Sequence, residues 1–252
     1  MVLKAILWDV DGTLAETERD GHLVAFNQTF RANDMDWEWS AELYGELLTV
    51  TGGKERMRYY VENYRSDWER PQDFDGLLKK LHLEKNQHYA ALAREGKISL
   101  RPGVVRLINE ARNAGLTIAI VTTTSPENVE NLLVNTLGPD SMGWFAEIAA
   151  GDVVPAKKPA PDIYYYAMKN LGLNADECIA IEDSQNGIRA ANDAKLKTVI
   201  TTSVYTTQED FTGAALIVDQ LGEPGEEIEV SRGSLFGQDC VNLDVLKAIM
   251  SN

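Results

Sequence analysis

The chain has 252 residues, of which 44% are hydrophobic and 25% charged. That composition belongs to a globular protein with enough apolar content for one domain carrying an insertion, or for two small domains. Its 24 Lys and Arg against 39 Asp and Glu leave a net charge of −15, a field that repels nucleic acid and anionic membranes and so argues against both as partners. No run of about 18 apolar residues is present, so no transmembrane helix is expected.

In chain order, Leu3 to Trp8 is a short apolar run rich in strand formers and predicts a buried parallel strand that ends at Asp9. The stretch is too short for a signal-peptide core. A removed transit peptide would leave no trace, so the expected location is the cytoplasm, or the plastid stroma if such a peptide has been cleaved. From about Thr17 to about Ala93 the pattern is helical with almost no strand signal, and it holds Trp37, Trp39, Tyr44, Tyr59, Tyr60, Tyr64 and Trp68. Residues 17–93 are therefore expected to form a helical cap inserted after the first strand. Arg101-Pro102-Gly103 marks the return to a core made of residues 1–16 and 94–252.

Beyond that point strands and helices alternate. Strands are predicted at 116–121, 178–181 and 197–200, with helices at 104–113, 126–136, 161–171 and 187–194. Alternation of this kind predicts an α/β fold, a doubly wound parallel sheet of Rossmann-like type. The acidic stretch from Gly222 to Asp239 is expected to be a surface excursion before a last helix at 241–250. Cys178 and Cys240 form no metal or redox motif and suggest small core residues in a reducing compartment.

Polar residues cluster where the predicted strands end, which is where open parallel sheets bind ligands. The first strand delivers Asp9-Val10-Asp11-Gly12-Thr13, the second Thr122-Thr123-Thr124-Ser125, the third Glu182-Asp183-Ser184, and a loop carries Lys157-Lys158-Pro159. Asp9 and Asp11 on one turn face the same side, and Gly12 permits a tight turn beneath them. With Asp183 and Glu182 they form a hard oxygen set suited to magnesium held together with a phosphate. A cation there would offset repulsion between a carboxylate nucleophile and a phosphoryl group. Thr122 offers a hydroxyl, the backbone after it can cradle phosphate oxygens, and a lysine adds a point charge.

These segments resemble the haloacid dehalogenase-like superfamily. Lys158-Pro159-Ala160-Pro161-Asp162 and Ile181-Glu182-Asp183-Ser184-Gln185-Asn186-Gly187 are similar to its beta-phosphoglucomutase-like branch with a helical cap. The resemblance implies Asp9 as nucleophile, forming an aspartyl-phosphate, and Asp11 as general acid/base. It implies Mg2+ held by Asp9, the Asp11 carbonyl and Asp183, with Glu182 close by. It also assigns Thr122, with Thr123 and Thr124 beside it, and Lys158 to the transferring phosphate. Lys158 is preferred over Lys157 because the motif lysine directly precedes the proline.

In the cap, Thr51-Gly52-Gly53-Lys54-Glu55-Arg56 sets a glycine pair before a helix with two cations, and a helix N-terminus is an anion site. His82 and Lys85 share a helix face at i and i+3. With Glu18 they resemble the CbbY-like subgroup. That resemblance implies a phosphatase of a sugar bisphosphate, notably xylulose 1,5-bisphosphate, an inhibitor of the carbon-fixing enzyme rubisco. Gly52, Gly53, Lys54, Glu55, Arg56, His82, Lys85 and Glu18 are then the expected contacts of the sugar and its distal phosphate. A monomer acting on a small phosphorylated sugar is expected. Two alternatives stay open from the motifs: a mutase of the beta-phosphoglucomutase type, and a non-catalytic binding or chaperone module of the same fold.

Overall fold

A computed structural model describes residues 2–252. The chain divides into two compact units, one formed by residues 1–16 and 99–252 and the other by residues 17–98. The second boundary thus lies beyond the expected residue 93, because the helix there runs through Arg94 and Ile98 is buried.

The first unit is built on one sheet. Its strands are β1 (Ala5–Trp8), β2 (Thr117–Thr122), β3 (Glu147–Ala150), β4 (Cys178–Glu182), β5 (Lys197–Thr201), β6 (Leu216–Val218) and β7 (Val230–Arg232), in the order β3-β2-β1-β4-β5-β6-β7. Pairing is parallel up to β6, and β7 adds an antiparallel edge. The α-helices of this unit are α5 (Val104–Asn113), α6 (Pro126–Leu137), α7 (Asp162–Leu171), α8 (Gln185–Asp193) and α9 (Leu243–Ser251), numbered after the four of the other unit. Strand alternation splits the core into two faces. Ala5, Leu7, Ala119, Val121, Cys178 and Ala180 pack with Ile163, Tyr164 and Ala167 of α7 and Ala190 and Ala191 of α8. Ile6, Trp8, Ile118, Ile120, Ile179 and Ile181 are buried on the opposite face.

Three strands differ from the sequence expectation. β3 has one β-branched residue among four and reads as weakly strand-forming; it forms because Ala119 to Thr122 offer it a parallel edge. β6 is an apolar run only three residues long, too short to stand out as a strand, and β7 is exposed throughout and shows no apolar pattern. The 222–239 excursion therefore contains a strand, with Arg232 paired to Ile217.

The second unit holds a π-helical turn at Glu18–His22 followed by α1 (Leu23–Ala32), α2 (Ala41–Leu47), α3 (Gly53–Tyr64) and α4 (Phe74–Arg94). Ser40 caps α2 by accepting from the Leu43 amide at 3.2 Å, and Asp73 caps α4 by accepting from Gly76 at 2.8 Å. Its centre is aromatic: Phe26 and Phe30 contact Trp39, and Trp37 meets Phe30, Tyr60 and Trp68 edge-on. Asn27 fixes Trp39 by exchanging two 2.8 Å hydrogen bonds with its backbone.

Candidate active site

β1 lies inside the sheet between β2 and β4, and the register brings its end level with both neighbours. Trp8 pairs with Ile120 of β2 and Ile181 of β4, so Asp9 emerges beside Val121 and Glu182. The Asp9 amide donates to the Ile181 carbonyl at 3.0 Å. The chain crosses from β3 on one flank to β4 on the other, so this is also the point where strand order reverses, the place where such sheets form a crevice.

Lys158 connects these strand ends. Its side chain is 5% exposed, and Nζ donates to Asp9 Oδ1 at 2.8 Å, to the Val121 carbonyl at 2.7 Å and to Glu182 Oε1 at 2.6 Å. All three ammonium donors are used. Lys157 pairs with Asp152 instead, at 2.9 Å. Burial works against the Lys158 cation, but Asp9 and Glu182 outweigh it and hold the amine above its ordinary range. Tyr164, in the first turn of α7, donates its hydroxyl to the same Glu182 oxygen.

Asp9, Glu182 and Asp183 are all buried, and each can bring one oxygen within 4.8 Å of the others. Burial pushes the Asp9 carboxyl up to about 7 against the pull of Lys158, with Glu182 and Asp11 adding to the rise. Burial also drives Asp183 well up, reinforced by Asp9 and Glu182. One lysine does not neutralise three buried carboxylates. Glu182 Oε2 is buried with no hydrogen-bond partner among the described residues, and an orphaned buried acceptor is costly. A hard divalent cation fits this arrangement: the donors are all oxygen, they converge, and they carry excess negative charge.

Glycines make the close approaches possible. A Cβ on Gly12, which has φ 82°, would sit 2.0 Å from Asp183 Oδ2, and one on Gly187 would sit 1.9 Å from Glu182 Oε2. Asp11 is half-buried on the same turn as Asp9. Thr122 is buried at the end of β2, where its Oγ1 faces the Thr124 amide at 3.4 Å; Thr123 is half-buried. Thr124 in turn accepts from Asn128 Nδ2 at 3.3 Å.

In the helical unit, Arg56 is buried rather than on an open helix start. Its Nη1 donates to the Tyr44 hydroxyl at 2.7 Å and lies 3.6 Å from Glu18 Oε2, while Tyr44 donates to Glu18. Lys85 is also buried, 2.8 Å from His22 Nδ1 and over the Phe26 ring. Gly52, with φ 100°, and Gly53 open α3. A Cβ on Gly53 would sit 2.7 Å from the His82 ring, so His82 packs on that helix start. Lys54 is half-buried and Glu55 exposed. Glu18 and Arg56 thus form one cluster, and Gly53 and His82 a second. Lys85 belongs to a third with His22 and Tyr89. Tyr44, Tyr164 and Ser203 were not legible as site residues: the two tyrosines read as core aromatics, and Ser203 lies in a loop without a motif.

The chain matches the family model of haloacid dehalogenase-like hydrolases over residues 3–195. It is 45% identical over 224 residues to the protein CbbY of Cupriavidus necator, covering 89% of this chain and 88% of that one. Two solved structures of CbbY from Rhodobacter sphaeroides, one in complex with phosphate and one, a mutant, in complex with xylulose 1,5-bisphosphate, are each 44% identical with a TM-score of 0.82; they match 89% of this chain and 97% of theirs. The strand-end carboxylates and buried lysine lie on a fold and sequence shared along most of both chains, and the chain belongs to the haloacid dehalogenase-like hydrolases, among which it groups with the CbbY proteins.

Proposed function

We propose that this chain is a magnesium-dependent phosphatase that hydrolyses a sugar bisphosphate, with xylulose 1,5-bisphosphate the foremost candidate, through an aspartyl-phosphate on Asp9. The observation that carries the reading is the Lys158 ammonium shared between Asp9 and Glu182, with Asp183 converging on the same point. The substrate is supported by the relative that holds xylulose 1,5-bisphosphate.

Asp9, the Asp11 backbone, Asp183 and Glu182 would hold Mg2+, which when bound draws electron density from the phosphoryl oxygens and screens them from the nucleophile. Lys158 keeps Asp9 oriented, and once a phosphate is in place its charge also stabilises the equatorial oxygens. Asp9 attacks phosphorus, and Asp11 gives its proton to the leaving sugar oxygen. Asp11 then takes a proton from the water that hydrolyses the aspartyl-phosphate. The Thr122 hydroxyl and the following amides of Thr123 and Thr124 bind the phosphoryl oxygens. In the helical unit Lys54 and the α3 N-terminus bind the distal phosphate, Arg56 is held ready by Glu18 and Tyr44, and His82 and Lys85 bind toward the sugar.

The test is phosphate release from a panel of ketopentose mono- and bisphosphates, with magnesium and with chelator. A distal contact that is charge-assisted contributes about 1.5–3 kcal/mol, so kcat/KM for the bisphosphate should exceed that for the matching monophosphate by roughly 10²-fold. Equal values would refute the bisphosphate reading. Conversion of a sugar monophosphate to its isomer without phosphate release would indicate a mutase.

A further inference from the structure

Arg101 stands next to the catalytic turn without belonging to any catalytic motif. Its side chain is 7% exposed, both terminal nitrogens of the guanidinium are hydrogen-bonded twice, and Nε faces a carboxylate. Nη1 donates to the carbonyls of Gly12 and, at 3.0 Å, Thr201; Nη2 donates to those of Thr202 at 2.7 Å and Asp219 at 2.6 Å; Nε lies 3.5 Å from Glu16 Oε1. One side chain therefore ties the turn after β1, the loop after β5 and the end of β6. Glu16 reinforces the same loop by accepting from the Val204 amide at 3.4 Å.

Both walls of Asp183 are in this set. Gly12 presents its bare Cα to the Asp183 carboxylate, where a Cβ would come within 2.0 Å of Oδ2. Ser203, directly after Thr202, is buried with its hydroxyl 3.1 Å from Thr206 Oγ1, and its Cβ borders the same space over Gly12 that the Asp183 carboxylate fills. If Arg101 served stability alone, an apolar residue with water on the carbonyls would do as well. Instead a buried cation is kept close to the most acidic part of the molecule, beside only one half-buried carboxylate of its own, a costly arrangement for stability.

We propose that Arg101, together with Ser203, is a positioning residue for Asp183: it fixes the Gly12 turn and the 201–204 loop as two walls that hold the carboxylate oriented for the divalent cation. The proposal rests on the magnesium-phosphatase reading and deepens it. Residues that orient a metal ligand typically change metal affinity or activity 10–100-fold when replaced.

The experiment is a calorimetric titration of magnesium into the resting protein, its Arg101→Met, Arg101→Lys and Ser203→Ala variants, with melting in chelator and kcat and KM at saturating magnesium. Arg101→Met should weaken magnesium binding roughly 10–100-fold. Arg101→Lys should recover part of that, and Ser203→Ala should weaken binding several-fold. In each, kcat should fall while KM stays within about twofold, because the substrate contacts are untouched. Unchanged magnesium affinity in a folded Arg101→Met protein that only melts earlier would overturn the proposal. If that variant does not fold, Ser203→Ala decides, since it deletes one hydroxyl and unchanged affinity there overturns the proposal too. A parent protein that binds magnesium but releases no phosphate from sugar phosphates would sink the substrate reading and leave this one to be judged on the affinities.

Discussion

At the scale of single residues, the buried acidic trio makes stability depend on pH. Asp9 has a folded-state carboxyl near 7 against an ordinary 3.8, so the metal-free native state binds more protons than the unfolded chain in that window. Stability without metal must then fall as pH rises from about 4 to 7. Melting in chelator should occur at higher temperature at pH 5.5 than at pH 8, and magnesium should restore more at pH 8. Asp9→Asn should reduce this difference, with buried Asp183 keeping part of it, while abolishing nearly all phosphate release; retention of more than a few per cent of turnover would remove Asp9 as nucleophile. Lys158→Met leaves Asp9 and Glu182 buried without their cation. Breaking a buried pair from one side costs about 3–5 kcal/mol, which urea unfolding at pH 8 in chelator would measure. A loss below about 1 kcal/mol would mean that solvent replaces the lysine.

At the scale of elements, a helix start governs a carboxylate. Gly187 lies in the first turn of α8, where alanine is the better helix former by up to about 1 kcal/mol. Yet its Cβ would fall 1.9 Å from Glu182 Oε2. Gly187→Ala should therefore lower magnesium-dependent activity at least about tenfold by displacing Glu182, with little loss of helix content by circular dichroism; overpacking of this kind costs roughly 1–3 kcal/mol. Full activity would show that Glu182 moves freely and needs no fixed orientation. Lys197 illustrates the opposite case, a strand-start cation that only satisfies the Ile249 carbonyl at the end of α9, at 2.8 Å.

At the scale of the whole molecule, each unit carries its own core. Ala15 pairs with Leu100 in an antiparallel bridge, and the Arg101 amide donates to the Leu14 carbonyl at 2.8 Å. The two chain crossings therefore leave the sheet unit side by side, and a short Gly-Ser linker can span them. Replacing residues 17–98 with such a linker should leave a cooperatively melting α/β protein. That protein should hydrolyse small phosphate esters slowly and show no preference for bisphosphates. A preserved bisphosphate preference would place the distal phosphate site within the sheet unit. Among the described residues no helix is long and apolar enough to cross a membrane. Both cysteines are buried free thiols, with burial pushing Cys178 up to about 12.

What the sequence determined by itself was the set of local motifs. Asp9-x-Asp11-Gly12, the strand-end Thr122, Lys158 before proline and the Glu182-Asp183 pair were legible because strand, turn and motif are short-range features written in consecutive residues. The alternation of apolar strands with amphipathic helices likewise announced the parallel sheet. Tertiary structure decided what depends on distant neighbours. Glu147–Ala150 becomes a strand only because β2 offers an edge, and Tyr164 reaches Glu182 only because α7 packs across β2 and β3. Arg56 and Lys85, which read as helix-face cations, are instead held inside the helical unit by Tyr44, Glu18 and His22. Arg101 gathers four carbonyls from segments up to 118 residues away. Burial and long-range hydrogen bonding are properties of the assembled chain, and no periodicity in the sequence encodes which polar group they will enclose.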